Sequence, residues 1–529
     1  MATKGRGGRG AWGVPRLFSI MMLAIALLLG LAQFHRSAAV DSLTVETTSG
    51  SVQGFTDDLT PNVAQYLGIP FAEPPVGARR WLPPAPKCRE NQTIKATALR
   101  PACPQAQGNT SNVWRTDAPE FLTQPPEYQS EDCLNLNVWA PLEQCTDESE
   151  KKLLPVLIWI YGGGYTSGGA NVPYQIPARW VERTGEHIVV AISYRVNIFG
   201  FPNAKSLADD EQNLGFLDQR LAVEWVRDNI RNFGGDPNRM ILWGQSAGAS
   251  SVDGYNFAYP EDPIVSGLIM NSGTTFIGIN SEDVQQTNFT FVAHHFGCNS
   301  PSAQAEIDCL RGVDSVSITQ YLKQYSDRNT QPSLSFLPVI DNRTLYSNYT
   351  ARALAGKFSR KPAIIGNTND EGTAFQPYNR TYGVNTTLAD ADTATIFHCP
   401  AVKTTYDRYA ANATTFRYLY AGNFSNISPQ PWEGAYHSSD IPLYFGTYGI
   451  VRGNGTAFEK AVSEKVQDYY LAFAKDPVNG LPQMGWNAYT PSGEAVLIGY
   501  DGEIVQGIEE SELEKPCDGV KPNGLPIPP

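Results

Sequence analysis

Ser246, in the run ILWGQSAGAS (241–250), is flanked by Gly244 and Gly248 in a Gly-x-Ser-x-Gly spacing. A serine hydroxyl attacks a carbonyl at neutral pH only when a base takes its proton, and that base is usually a histidine. Glycines two positions either side of the serine suit a very tight strand-to-helix turn, where larger side chains would collide. Helix amides beyond the turn then favour the negative charge that develops in the reaction. The competing reading is a serine N-cap with helix-entry glycines. A base, an acid and oxyanion donors must therefore be found elsewhere in the chain.

Six histidines compete for the role of base. At a nucleophile elbow the acid and then the histidine follow the serine in the chain, which sets aside His35 and His187. His294 and His295 lie in TNFTFVAHHFGC, a helix-like stretch that leaves no room for an acid before them. His398 abuts Cys399 in a helical run and reads as packed. His437 remains, in WEGAYHSSDIPLYFG, a loop of small residues from which an imidazole can reach a strand end. For the acid, PAIIGNTNDEGTAF (362–375) is a short strand followed by Asp370 and Glu371; either carboxylate could orient the imidazole, and the pattern does not choose. YGGGYTSGG (161–169), directly after LLPVLIWI, supplies close-approaching amides for an oxyanion hole, with the Ala247 amide as a further donor.

The elements that must position these groups alternate in kind. LLPVLIWIYGGG (153–164) and HIVVAISYRVNIFGF (187–201) are β-branched runs ending in glycine, as buried parallel strands are. LDQRLAVEWVRDNIRNFGG (217–235) has helical spacing and stops at paired glycines. MILWG reads as a strand and SAGASSVDGYNFA as a helix. Strand, helix, strand, helix predicts an α/β architecture: a large, mostly parallel, doubly wound sheet with helices on both faces. At about 100–200 residues per domain the 529-residue length suggests three domains. No linker, repeat or low-complexity block divides the chain, so residues 40–529 read as one.

Residues 1–39 read as a cleaved secretory signal peptide: Lys4, Arg6, Arg9 and Arg16, then the apolar run LFSIMMLAIALLLGLA, then small residues at Ser37, Ala38 and Ala39. The run is short for a membrane span of about 20 residues, and no stable membrane insertion is expected after cleavage. The net charge of −13 would become still more negative, which argues against nucleic acid as a partner. Eight cysteines without Cys-x-x-Cys spacing point to four disulfides in an oxidising compartment, and no metal site is expected. Eleven Asn-x-Ser/Thr sequons agree with a secreted glycoprotein: Asn91, Asn109, Asn288, Asn342, Asn348, Asn379, Asn385, Asn412, Asn423, Asn426 and Asn454.

The runs YLGIPFAEPPVGARRWLPP, SEDCLNLNVWAP, WIYGGGYTSGG, NLGFLDQRLAVEWVRDNIRNFGGDPNR, GQSAGA, NDEGTAF and HSSDIPLYFG together resemble the type-B carboxylesterase and cholinesterase family of α/β hydrolases, especially its secreted fungal esterases and lipases. The resemblance runs from about residue 42 to the C-terminus. It implies Ser246 as nucleophile, Glu371 as acid, His437 as base, and Gly163, Gly164 and Ala247 as oxyanion donors. It places Ser272, in LIMNSGTT, beside this triad, and Gln245 next to the nucleophile where cholinesterases carry Glu. It also implies an Arg80–Glu131 ion pair and the disulfides Cys103–Cys133, Cys298–Cys309 and Cys399–Cys517. Cys88 and Cys145 then pair by exclusion.

The implied reaction is acyl transfer to serine and then to water, with a small-molecule ester as partner and no cofactor. Gln245, together with Trp114 lying too far upstream of the Ser-Glu-Asp-Cys motif to hold a quaternary ammonium, argues against choline esters. The connection from Glu371 to Cys399 is shorter than is usual in the family, which suggests an open entrance. The segment between Cys103 and Cys133 is polar, which favours soluble esters of small to medium size over a lipase or sterol esterase with a lipid-docking lid. A non-catalytic adhesion-type relative is the most distant alternative. Oligomeric state is not legible.

Overall fold

Strands in this protein form where β-branched and aromatic residues run without interruption, because both faces of a parallel strand are covered. The computed structural model describes residues 43–522 except 107, 110, 124–127 and 147–151, and does not describe the side chains of residues 145 and 146. The signal segment 1–39 lies outside the described residues. Ten strands form one sheet: β1 (Val63–Pro70), β2 (Asn135–Pro141), β3 (Leu154–Ile160), β4 (Ile188–Ile192), β5 (Gly235–Gln245), β6 (Gly267–Asn271), β7 (Ala363–Thr368), β8 (Thr415–Tyr420), β9 (Glu494–Ile498) and β10 (Val505–Glu509). Their spatial order is β10-β9-β8-β7-β6-β5-β3-β4-β2-β1. The central run from β4 to β9 is parallel, and the edge pairs are antiparallel. Residues 44–47, 50–53 and 94–95 make a separate three-stranded sheet.

Helices α1 (Leu214–Asn229), α2 (Ala247–Ala258) and α3 (Ala457–Lys475) lie among those that surround the sheet. α1 stops where predicted, with Gly234 in the left-handed conformation after a short 3-10 turn. α3 begins with a Thr456–Glu459 capping box. Aromatic rings meet within a mainly aliphatic core: Trp159 and Trp243 on adjacent β3 and β5 meet at 4.5 Å, and Phe445 stacks on Trp243 at 4.7 Å. Burying each such side chain contributes roughly 1.5–3 kcal/mol. The chain after β4 is held to α1 by Arg195, whose guanidinium meets the Asp218 carboxylate at 2.7 and 2.8 Å with both side chains buried.

Three of the four expected disulfides form: Cys103–Cys133, Cys298–Cys309 and Cys399–Cys517. The fourth expectation is corrected, since Cys88 is an exposed free thiol. Lys87 pairs with Phe71 just past one end of β1, whereas the segment leading to Cys145 pairs with Asn62 at the other end. Eight strand residues at about 3.3 Å each separate those ends by roughly 25 Å, far beyond the ~7 Å that a disulfide spans between α-carbons. Two sequons are corrected likewise. Asn288 and Asn426 are buried, and their amide nitrogens donate to Ser335 O at 3.0 Å and Tyr448 O at 2.9 Å. The other nine asparagines are exposed. Arg80 and Glu131 form the expected ion pair, doubly bonded at 2.6 Å.

Candidate active site

The loops that leave the carboxyl ends of β3, β5, β7 and β8 converge on one cavity, where open parallel sheets place their ligand sites. Ser246 follows β5 with φ 58° and ψ −127°, a conformation that few non-glycine residues hold. Its turn is locked by close approaches. A Cβ on Gly248 would lie 2.1 Å from Ile160 O, and one on Gly244 would lie 2.4 Å from Gly248. Gly273, which the pentapeptide does not include, is equally tight: a Cβ there would lie 2.3 Å from Ser246 O. Ser272 sits behind this turn with φ 55° and a fully buried hydroxyl.

The choice between Asp370 and Glu371, which the sequence pattern leaves open, resolves into two separate jobs. Glu371 is fully buried, accepts from the Thr368 amide at 2.8 Å through Oε1, and meets His437 Nδ1 through Oε2. Asp370 instead accepts from the Ala435 amide at 2.8 Å, and its own amide donates to Ala435 O at 3.0 Å. It thereby fastens the histidine loop to the end of β7. With the Nδ1 proton on Glu371, the Nε2 lone pair of His437 faces the Gln245 amide at 3.0 Å; Gln245 also donates to Ser438 Oγ at 3.0 Å.

Gly163 and Gly164 follow β3 with φ of 114° and 61°, which glycine tolerates and other residues rarely do. A Cβ on Gly163 would lie 2.3 Å from Ser167 O. Among the described residues, the amides of Gly163, Gly164 and Ala247 have no protein acceptor. Gly163 and Gly164 line the same cavity as Ser246, and Ala247 is the residue that follows it.

The cavity measures about 460 Å³. Trp114, Phe375 and Phe397 surround the His437 ring at 6.0, 5.1 and 4.5 Å, and Trp114 Nε1 donates to His437 O at 3.2 Å. Trp114 reaches the cavity although it lies far upstream of Cys133 in the chain. It sits on the short helix Val113–Thr116. The side expected to be open carries Phe375, Ile396 and Phe397. These residues had no signal of their own beyond lying near Glu371 and His398. His398 is buried between Asn367 and Leu513 O and pushed down to about 4 by burial, as a packed histidine is.

One further acid adjoins the site. Asp440, three residues past His437, is fully buried, and burial followed by the charge of Glu371 raises its carboxyl to about 8.

Residues 41–390 and 379–514 match the model of the carboxylesterase family. The chain belongs to the carboxylesterase family. It is thus a type-B carboxylic ester hydrolase on an α/β-hydrolase sheet. Among this carboxylesterase's relatives, a chlorogenic acid esterase of Aspergillus niger is 45% identical over 90% of this chain and 94% of its own. Secreted lipase 5 of Gibberella zeae is 39% identical over 95% of this chain and 98% of its own. An acetylcholinesterase of Bungarus fasciatus is 29% identical over 85% and 81% respectively. Among the described residues, no helix is long and apolar enough to cross a membrane.

Proposed function

We propose that this carboxylesterase is a secreted serine esterase that acts on soluble esters of small to medium size through an acyl-enzyme on Ser246. The observation that carries the reading is the buried Glu371–His437 pair on the same cavity as the strained Ser246 turn and three unengaged amides. His437 Nε2 takes the proton of Ser246 Oγ as Oγ bonds to the ester carbon, and the Gln245 amide must give up that lone pair. Gly163, Gly164 and Ala247 amides receive the oxyanion, each worth roughly 3–4 kcal/mol in the transition state. The carbon–alkoxide bond breaks as His437 returns the proton to the leaving alcohol. Water repeats the sequence and frees the acid.

Preference for soluble esters is supported by how the Cys103–Cys133 loop is fastened. Its Asp117 accepts from Tyr378 OH, its Glu120 pairs with Arg452 at 2.9 Å, and Trp114 is tied to the histidine loop. A lid that swings open on a lipid surface needs fewer such bonds. Secretion is supported by the apolar N-terminal run, the three disulfides and the similarity to a secreted lipase of Gibberella zeae. The same similarity, with Phe121 and Leu122 on the cavity wall, favours a lipase as the second reading.

Hydrolysis of 4-nitrophenyl esters from acetate to palmitate by the secreted protein tests both. Short-chain activity that Ser246→Ala abolishes is the expected result. A long-chain optimum that rises sharply on emulsified triglyceride would replace it with the lipase reading. No turnover, with no labelling of Ser246 by a fluorophosphonate, would remove the serine mechanism altogether.

A further inference from the structure

Ile279 borders two cavities at once: the one that holds Ser246 and His437, and a second of about 270 Å³. The second cavity contains none of the candidate catalytic groups. Ser250 and Gly254 of α2 form one wall, one and two turns beyond Ser246 on the same helix face. Five aromatic rings complete it, from Tyr165, Phe216, Phe276, Tyr346 and Tyr349. Its outer end reaches the exposed Ser347, and the side chains of Ser347 and Asn280 make no hydrogen bond among the described residues. A pocket this aromatic, with an unengaged hydroxyl and an unengaged amide in its wall, is an unusual thing to leave beside a nucleophile.

We infer that the second cavity is the subsite for the far end of the acid half of the ester, that it selects aryl acids bearing a polar ring substituent, and that Ile279 is the partition the acyl chain passes. The inference rests on the serine-esterase reading, and it follows from how three groups must point around the reacting carbon. The leaving oxygen takes its proton from His437 Nε2, so the alcohol lies among Trp114, Phe375 and Phe397, which surround that ring. The oxyanion points at Gly163, Gly164 and Ala247. The acyl group takes the remaining direction, away from His437, along α2 and past Ile279. About 150 Å³ suffices for a benzene ring, so this cavity admits a substituted phenyl group. Its walls offer ring contacts of the edge and offset kinds. Asn280 and Ser347 are placed to hydrogen-bond a ring hydroxyl, and a site built to bond a hydroxyl discriminates far more strongly than an apolar one.

Gly254 provides the test because it borders the second cavity and not the first, and a Cβ there meets nothing nearer than Thr344 O at 3.8 Å. The measurement is kcat/KM for the 4-nitrophenyl esters of acetic, 3-phenylpropanoic and 3-(4-hydroxyphenyl)propanoic acids. Gly254→Leu is expected to lower both aryl values about tenfold or more and to leave acetate unchanged. Ile279→Ala, should Gly254→Leu not fold, is expected to raise the aryl-to-acetate ratio. Asn280→Leu is expected to erase the advantage of the hydroxylated ester over the plain one. Acetate turnover with an aryl-to-acetate ratio unmoved by Gly254→Leu and Ile279→Ala overturns the subsite alone; absence of acetate turnover in the unmodified protein overturns the serine reading and the subsite with it.

Discussion

Two adjacent carboxylates at the end of β7 do different work because the chain turns between them. Glu371 points into the protein at His437, while Asp370 points along the loop at the Ala435 amide. Glu371→Gln keeps the shape but stabilises the wrong imidazole tautomer, so kcat on 4-nitrophenyl acetate is expected to fall about 10⁴-fold with the fold intact. Asp370→Ala leaves the tautomer alone and frees the histidine loop. A smaller loss of roughly 10²-fold is expected there, of the size that a misplacement of about 1 Å causes. Equal losses from the two variants would contradict the division. Gly273 belongs to the same scale: Gly273→Ala forces a methyl against Ser246 O and is expected to lower both activity and melting temperature.

At the scale of elements, the Cys103–Cys133 segment both lines the cavity and is fastened to the body. Its composition is polar, and Gln105, Asn112, Arg115 and Thr123 do line the cavity, but so do Trp114, Phe121 and Leu122, while Asp117 and Glu120 fasten it to the body. Composition averages over a loop and does not say which of its residues reach the cavity. The disulfide that closes 30 residues of chain adds to this fastening. Replacing both cysteines by serine is expected to cost about 3–4 kcal/mol of stability, read as a lower urea midpoint. It is also expected to raise KM more than it lowers kcat, since His437 keeps Glu371. A loop that is a mobile lid would instead gain long-chain activity when released.

At the scale of the whole molecule, buried ionisable groups set how stability responds to pH. Burial raises Asp440 and Glu433 to about 8 and Glu510 to about 7. Their unfolded values are near 4, so between about pH 4 and 8 the folded state binds more protons and stability is lost as pH rises. His187 and His398 are lowered to about 3 and about 4, also by burial, and oppose this trend only below about pH 6.5. The melting temperature is therefore expected to fall between pH 6.5 and 8, and Asp440→Asn is expected to flatten that fall. A melting temperature that climbs over this interval would be incompatible with a neutral Asp440.

Much of this was legible before any coordinates, and for a definable reason. Strands β3, β4, β5 and β7, helices α1 and α2, the serine turn, the glycine loop and the histidine are local patterns: a run of β-branched residues, a helical period, a glycine spacing. Elimination among six histidines reached His437 because few alternatives existed. What local pattern could not supply was direction and distance across the chain. Asp370 and Glu371 are neighbours in sequence, and only the path of the chain after β7 decides which one faces the imidazole. Cys88 and Cys145 are the leftover pair by arithmetic, but the length of β1 keeps them apart. Asn288 and Asn426 carry the sequon signature, yet packing turns their amides inward. Trp114 lies 323 residues from His437 along the chain and touches it in space. The cavity beyond Ile279 is assembled from five separate stretches of chain. The sequence by itself determined the chemistry, because nucleophile, base and oxyanion donors are residue types at short spacings. Tertiary structure alone decided orientation, pairing and the shape of the pocket, because these depend on contacts between residues hundreds of positions apart.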